Sequence, residues 1–120
     1  MKILVVDDSL AMRMIVIKTL REAGFGGHDI SQAEDGVKGL ASVKEDKPDL
    51  ILCDWNMPNM TGPELLEALN TEGISTTFGF VTTEGTDAMR DKATELGARF
   101  VITKPFTPEC FRAELGQYLA

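Results

Sequence analysis

The chain has 120 residues, 43% of them hydrophobic and 26% charged, with no low-complexity tract; this is the composition of one globular domain and excludes a disordered chain. Its 12 Lys and Arg against 19 Asp and Glu give a formal charge of -7, the wrong sign for a broad nucleic-acid or anionic-membrane surface. No apolar run approaches the roughly 20 residues of a membrane span and the opening carries no cleavage-site pattern, so a cytoplasmic protein is expected.

Short apolar runs alternate with longer segments of helical period, the pattern of βα units. The first run, Lys2 to Val6, stops at Asp7-Asp8, and Ser9 is the expected N-cap of a helix from about Leu10 to Ala23, with Gly24 as its stop. A weaker strand, about His28 to Gln32, leads through Asp35-Gly36 into a second helix on which Val37, Leu40, Ala41 and Lys44 share a face, and Pro48 closes that unit. Asp49 to Asp54 reads as a third strand, followed by the polar Trp55-Asn56-Met57-Pro58-Asn59 loop. Thr61-Gly62-Pro63-Glu64 then has the form of a capping box with Pro early in a helix that runs to about Asn70. Strand four is expected at Thr77 to Thr82, helix four at Thr86 to Leu96 with Gly97 as its stop, and strand five at Arg99 to Thr103. Thr107-Pro108 opens the last helix, with Phe111, Leu115 and Tyr118-Leu119 as its apolar stripe.

Strands of near-continuous Val, Ile, Leu and Phe belong to a parallel sheet covered on both faces. The expected fold is therefore an α/β, doubly wound three-layer sandwich with five parallel strands and five helices. These elements use residues 1–120 as a single domain, so no attached output domain is expected. Cys53 and Cys110 read as small hydrophobes and not as a disulfide framework. His28 reads as an exposed loop residue, Trp55 as a hydrophobic lid, and Met12, Met14, Met57, Met60 and Met89 mainly as packing residues, with Met57 or Met60 able to shape a partner surface.

Open parallel sheets place their ligand site outside the carboxyl ends of the strands. There the sequence sets Asp7 and Asp8 after strand one, Asp54 after strand three, Thr82 after strand four and Lys104 after strand five. Three carboxylates on one rim repel unless a cation sits among them. A hard divalent ion with oxygen ligands answers that need, and Mg²⁺ fits where zinc, lacking His and Cys ligands, does not. Asp8 and Asp54 are the expected direct ligands, with Asp7 acting through water and the Asn56 backbone carbonyl as a further oxygen. Aspartate can attack phosphorus and form an aspartyl phosphate. Asp54 is the candidate nucleophile because an irregular loop follows it, and Lys104 and Thr82 are placed to stabilise the transferred group.

Four pieces in this order, Ile3-Leu4-Val5-Val6-Asp7-Asp8-Ser9, Asp54-Trp55-Asn56-Met57-Pro58, Val81-Thr82 and Lys104-Pro105-Phe106, closely resemble the receiver domain of bacterial two-component response regulators, in particular its stand-alone chemotaxis type. The resemblance implies a flavodoxin-like fold with strand order 2-1-3-4-5 and a cis Lys104-Pro105 bond. It implies Asp54 as phosphoacceptor, Asp7 and Asp8 as the acidic pair, Mg²⁺ on Asp8, Asp54 and the Asn56 carbonyl, Thr82 as switch hydroxyl and Lys104 as phosphate contact. Asn56 and Glu84 would tune dephosphorylation. The implied partners are a histidine kinase as phosphodonor, a downstream target such as the flagellar motor switch, and a phosphatase. The chain would catalyse only its own phosphorylation and slow dephosphorylation.

One departure stands out. The family usually has Tyr or Phe three residues before the lysine, and here Val101 holds that place. Phe100 faces the opposite side of the sheet and cannot substitute. The loop after strand four, Thr83 to Thr86, is therefore expected to carry more of the output. The face of helix four, strand five and helix five, with Ala88, Lys92, Val101, Thr103, Phe111 and Tyr118, is the implied output surface. Three other functions compete. A phosphorelay intermediate or phosphate sink would use the same five residues. A phosphohydrolase would need an acid where Asn56 stands, and a flavodoxin-like cofactor carrier is opposed by Asp7-Asp8.

Overall fold

In the computed structural model, which describes residues 1–119, five strands and five helices alternate along the chain. They are β1 Lys2–Val6, α1 Leu10–Glu22, β2 Asp29–Ala33, α2 Gly36–Asp46, β3 Leu50–Cys53, α3 Gly62–Thr71, β4 Thr77–Thr82, α4 Asp87–Leu96, β5 Phe100–Thr103 and α5 Pro108–Leu115. The five strands pair in parallel in one sheet of order β2-β1-β3-β4-β5, the expected order. The order reverses at β1 and β3, which is where a doubly wound sheet opens its crevice.

Alternation along the strands divides the core in two. Ile3, Val5, Leu50 and Leu52 pack with α1 and α5, while Leu4, Val6, Ile51 and Cys53 pack with α2, α3 and α4. Five caps behave as hydroxyl or carboxylate chemistry predicts. Ser9, Asp35, Thr61, Thr86 and Thr107 each accept a backbone N–H at the start of their helices, and Thr61 and Glu64 complete a capping box. The Lys104-Pro105 peptide bond is cis.

The structure corrects several expectations. Strand boundaries move by one residue: β2 runs one residue later than expected, and β3 and β5 are trimmed to Leu50–Cys53 and Phe100–Thr103. On α2 the buried positions are Gly36, Gly39 and Val43, not the face with exposed Val37 and Lys44. Those glycines let the helix lie close: a Cβ at Gly39 would meet Leu65 and Val6 at 3.3–3.4 Å. Helix α5 stops at Leu115, so Tyr118 and Leu119 pack from beyond its end. Phe111 is wholly buried and belongs to the core, not to an output surface. Met57 is core, the packing role expected of it, whereas Met14, also expected to pack, is exposed with Leu10 and Ile15 on α1. His28 is half-buried beside Phe25, its ring 6.4 Å away, and Met1's terminal amine lies 3.2 Å from its Nδ1.

In β4, Gly79 pairs with Phe100, and a Cβ on it would overlap the Phe100 ring. A glycine inside a strand marks such a close approach. This ring packs toward α5, which confirms that Phe100 lies across the sheet from Val101.

Candidate functional site

The backbone ladder continues one residue past the ends of three strands. The Asp7 N–H donates to the Ala33 carbonyl at 3.1 Å, that of Asp54 to Val6 at 2.9 Å, and that of Lys104 to Thr82 at 2.7 Å. Asp7, Asp54 and Lys104, each just past a strand end, are thus fixed as firmly as strand residues. Carboxylate oxygens of Asp7, Asp8 and Asp54 come within 4.8 Å of one another.

Each carboxylate has a different setting. Asp7 is buried and its oxygens are engaged: Oδ1 accepts the Ser9 N–H at 2.9 Å and Oδ2 accepts from Lys104 Nζ at 3.2 Å. Asp8 is exposed. Asp54 Oδ1 accepts the Trp55 N–H at 2.8 Å and lies 3.8 Å from Lys104 Nζ. The side chain of Asp54 is 15% exposed and that of Lys104 11%, so this ion pair lies under little solvent screening. Among the described residues, nothing donates a hydrogen bond to Asp54 Oδ2. The acceptor candidate therefore has one oxygen held and one free.

Burial pushes the Asp54 carboxyl above its ordinary range; Lys104 opposes the shift, Asp7 and Asp8 add to it by repulsion, and the Trp55 N–H works against it. The neighbouring Cys53 thiol is pushed well above its ordinary value, first by burial and then by the charges of Asp54 and Asp7. It stays protonated and serves as packing.

Thr82 is 1% exposed, and its Oγ1 accepts the Glu84 N–H at 3.3 Å, which ties the switch candidate to the loop that follows. Trp55 is half-buried, its ring 4.7 Å from that of Phe80, and it roofs the end of β3 as expected of a lid. Beneath it Gly62 allows the closest approach in the site. Its N–H donates to the Trp55 carbonyl at 2.9 Å, and a Cβ there would overlap the Asp54 carbonyl oxygen. Asn56 sits exposed in the loop two residues past Asp54.

Two features were missed from the sequence. Arg13 Nη1 donates to the Asp7 carbonyl at 2.6 Å and its Nε to Gln32 Oε1 at 2.9 Å, which brings a second cation to the rim of the acidic cluster. The signal was present: Arg13 lies one turn after the cap Ser9, on the same side of α1. The second is a brace between loops. Asp35 accepts the Lys38 N–H at 2.8 Å and Asn59 Nδ2 at 3.0 Å, and Asn59 sits at φ +67°, a left-handed conformation that Asn tolerates. These two hydrogen bonds, the one from Lys38 first, hold the Asp35 carboxyl below its ordinary range.

This rim offers three hard oxygen donors, an ammonium and a buried hydroxyl at the switch point of a doubly wound sheet. Such a set suits a divalent cation and a phosphoryl group, not a soft metal or a flat cofactor. The model of the response regulator receiver domain matches residues 3–115, and the chain belongs to that family. It is 39% identical over 123 aligned residues to a chemotaxis protein CheY homolog of Campylobacter jejuni subsp. jejuni, covering 99% of this chain and 92% of the relative. Among solved structures it is similar to Vibrio cholerae chemotaxis protein CheY4, at 34% identity, TM-score 0.86 and 98% of both chains. A DNA-binding response regulator of the LuxR family from Staphylococcus aureus, 18% identical with TM-score 0.86 over 99% of this chain and 98% of its own, shares the fold. Receiver domains of the chemotaxis type are signalling switches that histidine kinases phosphorylate and that bind downstream targets. They generally bind Mg²⁺ at an acidic pocket, and Asp7, Asp8 and Asp54 form the acidic pocket here. No helix among the described residues is long and apolar enough to cross a membrane.

Proposed function

We propose that this protein is a cytoplasmic, phosphorylation-activated switch in which Asp54 takes a phosphoryl group from the phosphohistidine of a histidine kinase. The free Oδ2 of Asp54 attacks phosphorus, the P–N bond to the imidazole breaks, and the imidazole nitrogen keeps the electron pair. Asp8, Asp54 and the Asn56 backbone carbonyl would hold Mg²⁺, with Asp7 acting through water. When bound, the ion neutralises charge on the phosphoryl oxygens and on the carboxylates. Lys104 turns toward the transferred group, and the Thr82 hydroxyl follows it inward. Chemotaxis is the output this reading assigns, through a target protein such as the flagellar motor switch, with a phosphatase to reset the signal. The similarity to chemotaxis relatives supports that output.

The observation that carries the reading is the asymmetry of Asp54: Oδ1 is anchored by the Trp55 N–H and approached by Lys104, while Oδ2 accepts nothing among the described residues. Phosphotransfer from candidate kinases to wild type and to Asp54→Asn tests it. Label on the wild type alone is expected, and equal labelling of both chains removes Asp54 as the acceptor. Fast multiple turnover of phosphate esters would instead favour a phosphohydrolase.

A further inference from the structure

A receiver switch must carry a change at the end of β4 out to the surface of α4 and β5. The usual aromatic carrier is missing here, and beside half-buried Val101 lies a cleft of about 200 Å³ whose lining includes Arg90, Ala93, Thr94, Phe100 and Glu114. Another side chain spans the gap. Arg90, from the first turn of α4, reaches back so that its Nε donates to the Gly85 carbonyl at 3.3 Å and its Nη1 to the Val101 carbonyl at 3.4 Å. Gly85 directly follows Glu84, whose N–H donates to Thr82 Oγ1 at 3.3 Å. The links thus run from the Thr82 hydroxyl through the loop to one guanidinium and on to β5, the strand at the open edge of the sheet.

The loop cannot slide past this contact unnoticed. A Cβ at Gly85 would overlap the Thr103 methyl and come within 3.2 Å of Arg90 Nη2, so the Gly85 backbone sits directly on β5 under the guanidinium. Both Arg90 hydrogen bonds are long and Arg90 is exposed, which makes each weak. Weak bonds that share one rigid planar group break together when either carbonyl moves, and that suits a contact that must release. Arginine serves the two carbonyls from two nitrogens in one fixed planar geometry, whereas lysine would have to reach both from a single, differently placed ammonium nitrogen.

We infer that Arg90 is the positioning residue that couples the Thr82 loop to the outer edge of β5, in the role an aromatic ring plays in relatives of the usual type. The inference rests on the receiver reading. In the free protein Arg90 ties the loop to β5; when Thr82 is drawn inward, Gly85 shifts, the guanidinium lets go, and the Val101 carbonyl on the sheet edge is uncovered.

The test uses the full chain as wild type, Arg90→Lys and Arg90→Ala, each with Mg²⁺, with and without beryllofluoride as phosphoryl mimic. Backbone amide spectra follow Thr86 and Ile102, the N–H groups of the two peptide units whose carbonyls Arg90 holds. In the wild type both amides are expected to move on activation. In both variants Thr86 still moves, while Ile102 is already displaced in the free protein and no longer responds. Removing a restraint on the inactive loop also favours the active state, so acetyl phosphate should label both variants about threefold faster than wild type. A role in packing alone would be rescued by Arg90→Lys, which keeps the charge and the methylene stem. The inference is overturned if Arg90→Lys matches wild type in the Ile102 response and the labelling rate, or if Ile102 still follows the loop in Arg90→Ala. A wild type that takes neither mimic nor phosphoryl group overturns the receiver reading itself.

Discussion

Asp54→Asn should stabilise the metal-free protein at neutral pH, although it removes half of an ion pair. At 3.8 Å from Lys104 Nζ, Asp54 gains about 4 kcal/mol of attraction at an effective dielectric constant of about 20. Its neighbour Asp7, with a carboxylate oxygen no more than 4.8 Å away, returns at least about 3.5 kcal/mol of repulsion on the same scale, and exposed Asp8 adds a screened share. The Coulomb contributions nearly cancel, and the desolvation of a mostly buried carboxylate is left over. Asparagine removes that cost and still offers Oδ1 to the Trp55 N–H. A gain of about 1–2 kcal/mol follows, seen as a rise in Tm of roughly 3–8 °C for a domain of this size.

The pH dependence fixes the sign. With its carboxyl raised in the folded state, Asp54 binds its proton more tightly there than in the unfolded chain, so folded stability falls as pH rises. The loss begins near the ordinary carboxylate value and is complete above the raised one. The Tm advantage of Asp54→Asn should therefore be absent at the acid end of that window, grow through it and level off toward pH 7. Millimolar Mg²⁺ should reverse the order by stabilising wild type more than the variant, as a ligand that binds only the folded state must. Thermal melts by circular dichroism across pH, with EDTA and then with Mg²⁺, make the measurement. An Asp54→Asn chain that melts below wild type in EDTA at pH 7 refutes the reasoning and would mean that the Lys104 attraction dominates.

Three other substitutions probe different levels of the structure. Gly79→Ala sets a methyl against the Phe100 ring inside the sheet and should cost about 2–4 kcal/mol, read from urea unfolding, with Phe100→Ala in the same chain recovering part of the loss. Asp35→Ala removes the cap of α2 and the acceptor for Asn59, so about 1–2 kcal/mol is expected at pH 7; because the Asp35 carboxyl is lowered in the fold, the difference should shrink in acid as pH falls through that lowered value. Thr82→Ala should leave phosphorylation of Asp54 intact while freeing the Glu84 N–H, so labelled Thr82→Ala should show target binding cut about tenfold or more in a pull-down.

The sequence made most of the fold legible because continuous apolar strands and hydroxyl caps are local signals. The strand-end residues Asp7, Asp8, Asp54, Thr82 and Lys104 followed from one rule about open parallel sheets, and the fold gathered the three acids and Lys104 at one rim with Thr82 tied to Lys104 by backbone. Less visible were properties set by partners distant along the chain. The α2 stripe was misjudged because side-chain hydrophobicity ranks Val37 above Gly36 and Gly39, whereas close helix packing selects the residue with no side chain. Arg13 and Arg90 were overlooked because charged helical residues usually face solvent. Here each lies within one turn of its helix cap and turns back onto carbonyls of the site.

Those carbonyl contacts bear on how the site could work as a switch and not only as a binding pocket. Three carboxylates against the Lys104 ammonium and the Arg13 guanidinium leave the unloaded rim with about one excess negative charge, and Lys104 is shared between Asp7 and Asp54 at 3.2 and 3.8 Å. In the proposed switch, phosphorylation converts the single charge of Asp54 to about two and extends it outward, which pulls Lys104 away from Asp7. The backbone N–H of Lys104 donates to the Thr82 carbonyl at 2.7 Å, so the two groups assigned to the phosphoryl group are joined through the main chain as well. A shift of Lys104 is then felt at Thr82, and one of Thr82 at Glu84, Gly85 and Arg90. The short path explains how a change at one aspartate can reach the sheet edge in a chain with only Val101 where an aromatic ring would otherwise move.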